Sequence, residues 1–142
     1  MTDPAPAATT AANTPDPALV SWTHWMYGLH ALSAAIGIFS SWAGVMTAFI
    51  FGWPSIIAVI MNYAKRSDAR GTWLESHFNW QLRTFWLAAL CFVLIGLVSL
   101  PLSVVLIGFV TWGVGAAITG LWIVYRVVRG WLTLKDGRSI AA

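Results

Sequence analysis

Charge is what this sequence has least of. Thirteen of its 142 residues are charged, 8 basic and 5 acidic, or 9%, against roughly 25% in an average soluble domain. The charges are also missing in blocks. None occurs between Asp16 and Lys65, and none between Arg83 and Arg126. A soluble chain of this length has too little interior to hide 58% hydrophobic residues, because small domains keep a large surface relative to their volume. At about 20 apolar residues per bilayer crossing, each charge-free run is long enough for two helices and a turn. The mean hydropathy of +0.73 agrees. The chain reads as an integral membrane protein, which excludes most soluble enzyme classes.

Other absences narrow the function. Cys91 stands alone, so no intrachain disulfide and no cysteine metal site is expected; it reads as a small apolar residue. The phosphate-loop, nucleophile-elbow, zinc-helix and C-x-x-C motifs are missing. No catalytic, cofactor-binding or metal-binding residue is therefore assigned, and the chain is read as a non-enzyme with no nucleic-acid partner. From Thr84 to Tyr125 there is no acidic, basic, His, Asn or Gln residue, and the first apolar run holds only His24, His30 and Asn62 of these. Coupled transporters carry intramembrane ionisable groups, so this scarcity argues against proton or cation coupling. His24 and His30 are six apart and cannot share a ligand from one helix face. His30 reads as a hydrogen-bonded structural residue, with haem ligation as its alternative.

What is present gives an all-α integral membrane protein, a four-helix transmembrane bundle built from two hairpins. Residues 1–18, rich in Pro, Ala and Thr, read as a disordered tail without the basic start of a signal peptide. The first hairpin spans 19–66. Its turn has two candidate sites, Ser40–Gly44 and Phe51-Gly52-Trp53-Pro54; the second has the stronger local signals but leaves a short return helix. Residues 67–83 form a cytoplasmic loop and the interfacial start of helix three, where Thr72-Trp73-Leu74-Glu75 matches a capping box. The second hairpin spans 84–129 and turns at Leu100-Pro101-Leu102-Ser103, with helix three ending near Leu100 and helix four running from about Ser103 to Arg129. A basic cytoplasmic tail, 130–142, follows.

Orientation comes from the basic residues. Lys65, Arg66, Arg70 and Arg83 lie between the hairpins, and Arg126, Arg129, Lys135 and Arg138 lie at the end of helix four. The positive-inside rule puts both groups, and with four crossings both termini, in the cytoplasm; Lys65, Arg66, Arg70, Arg126 and Arg129 are read as basic anchors. Trp22, Trp25, Tyr27, Trp73, Trp80, Trp86, Trp122, Tyr125 and Trp131 read as interfacial belts. Small-residue pairs such as Gly113/Ala117 and Ala116/Gly120 read as close helix packing within the bundle.

The richest stretch is Gly71–Trp86. Leu74, Phe78, Leu82 and Phe85 form an apolar stripe, Glu75, Asn79 and Arg83 a polar one, and His77, Gln81 and Thr84 a third. Glu75, Asn79, Arg83, His77 and Gln81 are the candidate lipid- or partner-contact residues. The segments Asn62–Arg66, Gly71-Thr72-Trp73-Leu74-Glu75-Ser76-His77-Phe78, Arg83-Thr84-Phe85-Trp86 and Leu134-Lys135-Asp136-Gly137 resemble a family of small bacterial inner-membrane proteins of unknown function. More distantly, the helical plan is similar to that of the chloroplast inner-envelope import-channel group. The resemblance implies a multi-pass protein of the bacterial inner (plasma) membrane and supplies no activity or cofactor. The expected function is contact with membrane lipids, with another inner-membrane protein or with a second copy; a small channel or translocation component and a haem or redox subunit are the alternatives.

Overall fold

The computed structural model describes residues 14–40 and 52–141. These are all-helical: α1 (Pro17–Ser40), α2 (Trp53–Lys65), α3 (Leu74–Leu102), a 3-10 turn (Ser103–Val105) and α4 (Ile107–Lys135). Among the described residues, two stretches, Leu74–Val105 and Ile107–Lys135, are long and apolar enough to cross a membrane.

Local chemistry sets the helix ends. Asp16 accepts the Ala18 N–H on its side chain at 2.8 Å, and Pro17 opens α1 with its ring in the first turn. Residues 17 and 18 are therefore helical, and the part of the expected tail at 1–13 lies outside the described residues. Pro54 sits in the first turn of α2 after Gly52; the alternative turn at Ser40–Gly44 falls almost wholly outside the described residues. The Thr72 half of the expected capping box does not form. The Thr72 hydroxyl donates to the Ala69 carbonyl instead, and Glu75 accepts from the Gly71 N–H at 3.0 Å. Gly71, at φ +74°, bends the chain so that its own N–H, not that of Thr72, faces the carboxylate.

Helix three runs through Pro101 to Leu102, two residues beyond the expected end. Leu106 then takes a left-handed conformation (φ 62°), and α4 starts at Ile107. Gly108 makes so tight a turn possible: a Cβ there would collide with the Ser99 carbonyl and the Ser103 backbone. Helix four continues to Lys135, well past Arg129.

Helix α3 packs most extensively on α4, and α1 packs on both α2 and α4. The core of Leu19, Met26, Tyr27, Ala58, Ala69, Leu74, Phe78, Val127 and Leu134 lies at one end, beside the 66–73 loop and the start of α1. The other half of the α3–α4 hairpin is apolar and bare: Leu97 is 63%, Leu100 71% and Val104 87% exposed. Close contact there comes at Gly115 against Ile95. Gly113 and Gly120, singled out by the small-residue pattern, have open space where a Cβ would stand. The chain thus has a packed, polar base and an apolar stalk.

Candidate functional site

The base is organised by the polar stripe His77–Gln81–Thr84, which faces inward. His77 is fully buried and Gln81 is 3% exposed, so these two expected contact residues belong to the interior. A carbonyl only accepts, so the 2.7 Å contact of His77 Nε2 with the Arg138 carbonyl is an Nε2–H donation. In that neutral tautomer Nδ1 is bare and accepts from the Tyr27 hydroxyl at 3.1 Å. Ser76 Oγ accepts from the Ile140 N–H at 3.0 Å while donating to the Trp73 carbonyl. Two consecutive residues of α3 thereby hold residues 138–140 against the bundle, and Ile140 is buried. The expected basic tail begins instead as the last turns of α4 and then folds back.

One turn along, Arg126 is locked to α3. Its Nε donates to Thr84 Oγ1 at 2.7 Å, its guanidinium lies 3.5 Å above the Trp80 ring, and its carbonyl accepts from Trp80 Nε1 at 3.1 Å. Stacking on an aromatic face and hydrogen bonding at the edge are what a planar guanidinium does and an ammonium does not. Arg129 sits 5.4 Å from the same ring and reaches the Tyr125 hydroxyl. The charges of Arg83 and Arg129 both bear on Arg126. Trp80 and Tyr27, grouped with the belt aromatics by sequence, are interior parts of this assembly; Trp25, Trp86 and Tyr125 stay exposed.

No carboxylate serves this cluster among the described residues. Asp16 caps α1, Asp68 pairs with Lys65 at 2.9 Å, Glu75 holds the Gly71 N–H, and Asp136 pairs with Arg138 at 2.6 Å. The Lys65 ammonium and the Ser67 hydroxyl hold the Asp68 carboxyl below the usual carboxylate range. Glu75, Asn79 and Arg83 are all exposed, and no hydrogen bond joins them to one another among the described residues. Asn79 accepts from Arg66 at 3.0 Å, tying the end of α2 to α3. Arg70 lies exposed on the connecting loop.

A cavity of about 60 Å3 opens where the four helices meet, walled by Tyr27 and His30 of α1, Ser55 of α2, Gln81 and Thr84 of α3, and Arg126 of α4. His30 Nδ1 meets Ser55 Oγ at 3.1 Å, and Asn62 Nδ2 reaches the Phe78 carbonyl and Gln81 Oε1. His24 is occupied elsewhere, by Trp131 Nε1 at 3.0 Å. The sequence pattern marks the 77–81–84 stripe but not Ser55, 22 residues before His77, nor Tyr27 and Trp80, which carry an aromatic pattern typical of belts. No family model, curated protein or solved structure matches the chain.

Proposed function

We propose that this chain is a non-enzymatic, multi-pass protein of a bacterial inner membrane, a four-helix transmembrane bundle with both termini in the cytoplasm, that holds anionic lipid headgroups at its basic base. The family of small inner-membrane proteins that Gly71–Phe78 resembles is part of this proposal. The bare apolar stalk supports a bilayer setting, because large exposed apolar faces are costly in water. All eight basic residues belong to the base or its loop, which supports a cytoplasmic base.

One observation carries the lipid reading: Arg126 and Arg129 stand over the Trp80 ring, the charge of Arg83 bears on Arg126, and every described carboxylate is engaged elsewhere. The cluster lies at the edge of the charge-free stretch, the depth of lipid phosphates, and guanidinium groups bind phosphate oxygens two at a time. Native mass spectrometry of protein purified in mild detergent tests this. Phosphatidylglycerol or cardiolipin should be retained in excess over phosphatidylethanolamine, and the Arg83→Gln/Arg129→Gln variant should lose that excess. Arg83→Lys should lose part of it, since an ammonium keeps the charge without the two-pronged geometry. Retained lipid that mirrors bulk membrane composition would overturn the reading.

A further inference from the structure

The cavity at the four-helix junction holds more unused hydrogen-bonding capacity than any other part of the base. Three buried side-chain atoms of residues that wall it make no well-formed hydrogen bond among the described residues: His30 Nε2, Arg126 Nη2 and Gln81 Nε2, the last with only a loose approach to the Tyr27 hydroxyl. His30 is 8% and Gln81 3% exposed, so bulk water does not satisfy them. Two of them are donors outright, and the third can donate. Arg126 only donates. The Gln81 amide nitrogen donates, because its oxygen accepts from Asn62. His30 Nε2 carries its proton whenever Ser55 donates to Nδ1. A donor-lined chamber with one full positive charge and no carboxylate in its wall calls for an acceptor of negative charge. The room suffices: on the same measure one water needs roughly 10–15 Å3, so about 60 Å3 admits a small anion with part of its hydration.

We infer that the four-helix junction is a binding site for a small inorganic anion of the chloride class, held by Arg126, Gln81 and His30. Low local polarity on the α3 and α4 side, where Phe85, Ala88, Ile123 and Val127 wall the chamber, strengthens these contacts, while the hydroxyls of Tyr27, Ser55 and Thr84 complete its lining. The site goes beyond the lipid reading: the two share Arg126, but Gln81 and His30 belong to the cavity alone, and Arg83 and Arg129 do not line it.

The test uses full-length protein, stripped of lipid in a neutral detergent and equilibrated in sodium gluconate, an anion too large for the chamber. Titration with sodium chloride, followed by the line width of the chloride-35 resonance, should show saturable broadening above the detergent blank that bromide displaces. Gln81→Leu should weaken chloride binding roughly tenfold to a hundredfold, the usual effect of deleting a hydrogen bond to a charged group. Its Asn62 neighbour keeps the Phe78 carbonyl, which limits damage to the fold. Gln81→Glu is the second variant: nearly isosteric, it supplies the negative charge internally, so chloride broadening should vanish while the protein stays folded. The Arg83→Gln/Arg129→Gln protein should keep its broadening even as it loses lipid, which separates the two readings. No saturable broadening in wild type, as for a chamber holding water or one filled only by a lipid headgroup, would overturn the inference. So would broadening unchanged in both Gln81 variants.

Discussion

Replacing Gly130 by Ala probes the packing of the base at its tightest point. A Cβ there would stand 2.5 Å from the Tyr27 hydroxyl and 2.7–2.8 Å from its ring carbons. The ring cannot retreat, because Tyr27 is wholly buried and its hydroxyl is held by His77. Overpacking of this kind costs about 1–3 kcal/mol. Displacing the ring also strands the buried His77 Nδ1, worth about 1–3 kcal/mol. Alanine returns about 1 kcal/mol through its better helix propensity. The net expectation is a loss of about 1–5 kcal/mol. Equilibrium unfolding by sodium dodecyl sulfate in dodecyl maltoside micelles measures it. Gly113→Ala and Gly120→Ala, with nothing within 4 Å of the new methyl, should be neutral or stabilising by up to about 1 kcal/mol. Combining Gly130→Ala with Tyr27→Ala should erase the penalty of the first change. Equal stability of Gly130→Ala and wild type, or equal losses at all three glycines, would refute this reasoning.

Other expectations follow from the ends of the helices. Deleting residues 138–142 removes the buried Ile140 and the bonds to Ser76 and His77, so unfolding free energy in the same assay should fall by about 2–5 kcal/mol; a freely solvated tail would cost nothing. Asp16→Ala should cost about 0.5–2 kcal/mol, the usual loss of an N-cap, whereas Asp16→Asn should cost much less.

The helices were legible in the sequence because charge and turn chemistry are local signals. Gly52-Trp53-Pro54 opens a helix, and Pro101–Ser103 lies beside the turn between the long helices. Arg129 suggests the end of α4 because it closes the apolar run, but Leu134 buries against the core and draws the helix on to Lys135. Side-chain destinations were less legible. Tyr27 and Trp80 carry the composition of an interfacial belt, and only the partners His77 and Arg126, 50 and 46 residues away, draw them inward. Gly115 and Gly130 act in close packing because Ile95 and Tyr27 happen to face them, a fact no spacing rule contains. The stripe of His77, Gln81 and Thr84 was visible, but its direction was not: in water a polar stripe faces out, and beside lipid it turns in.

That inside-out arrangement stands or falls with the α3–α4 hairpin crossing the bilayer. A paired fusion experiment decides it, with alkaline phosphatase and a fluorescent protein each attached once after Ser103, in the hairpin turn, and once at the C-terminus. Active phosphatase with a dark fluorescent fusion at Ser103, and the reverse pattern at the C-terminus, is the expected result, since α4 lies between the two points. The same pattern at both positions would mean that α4 does not cross, and would contradict the membrane-spanning assignment.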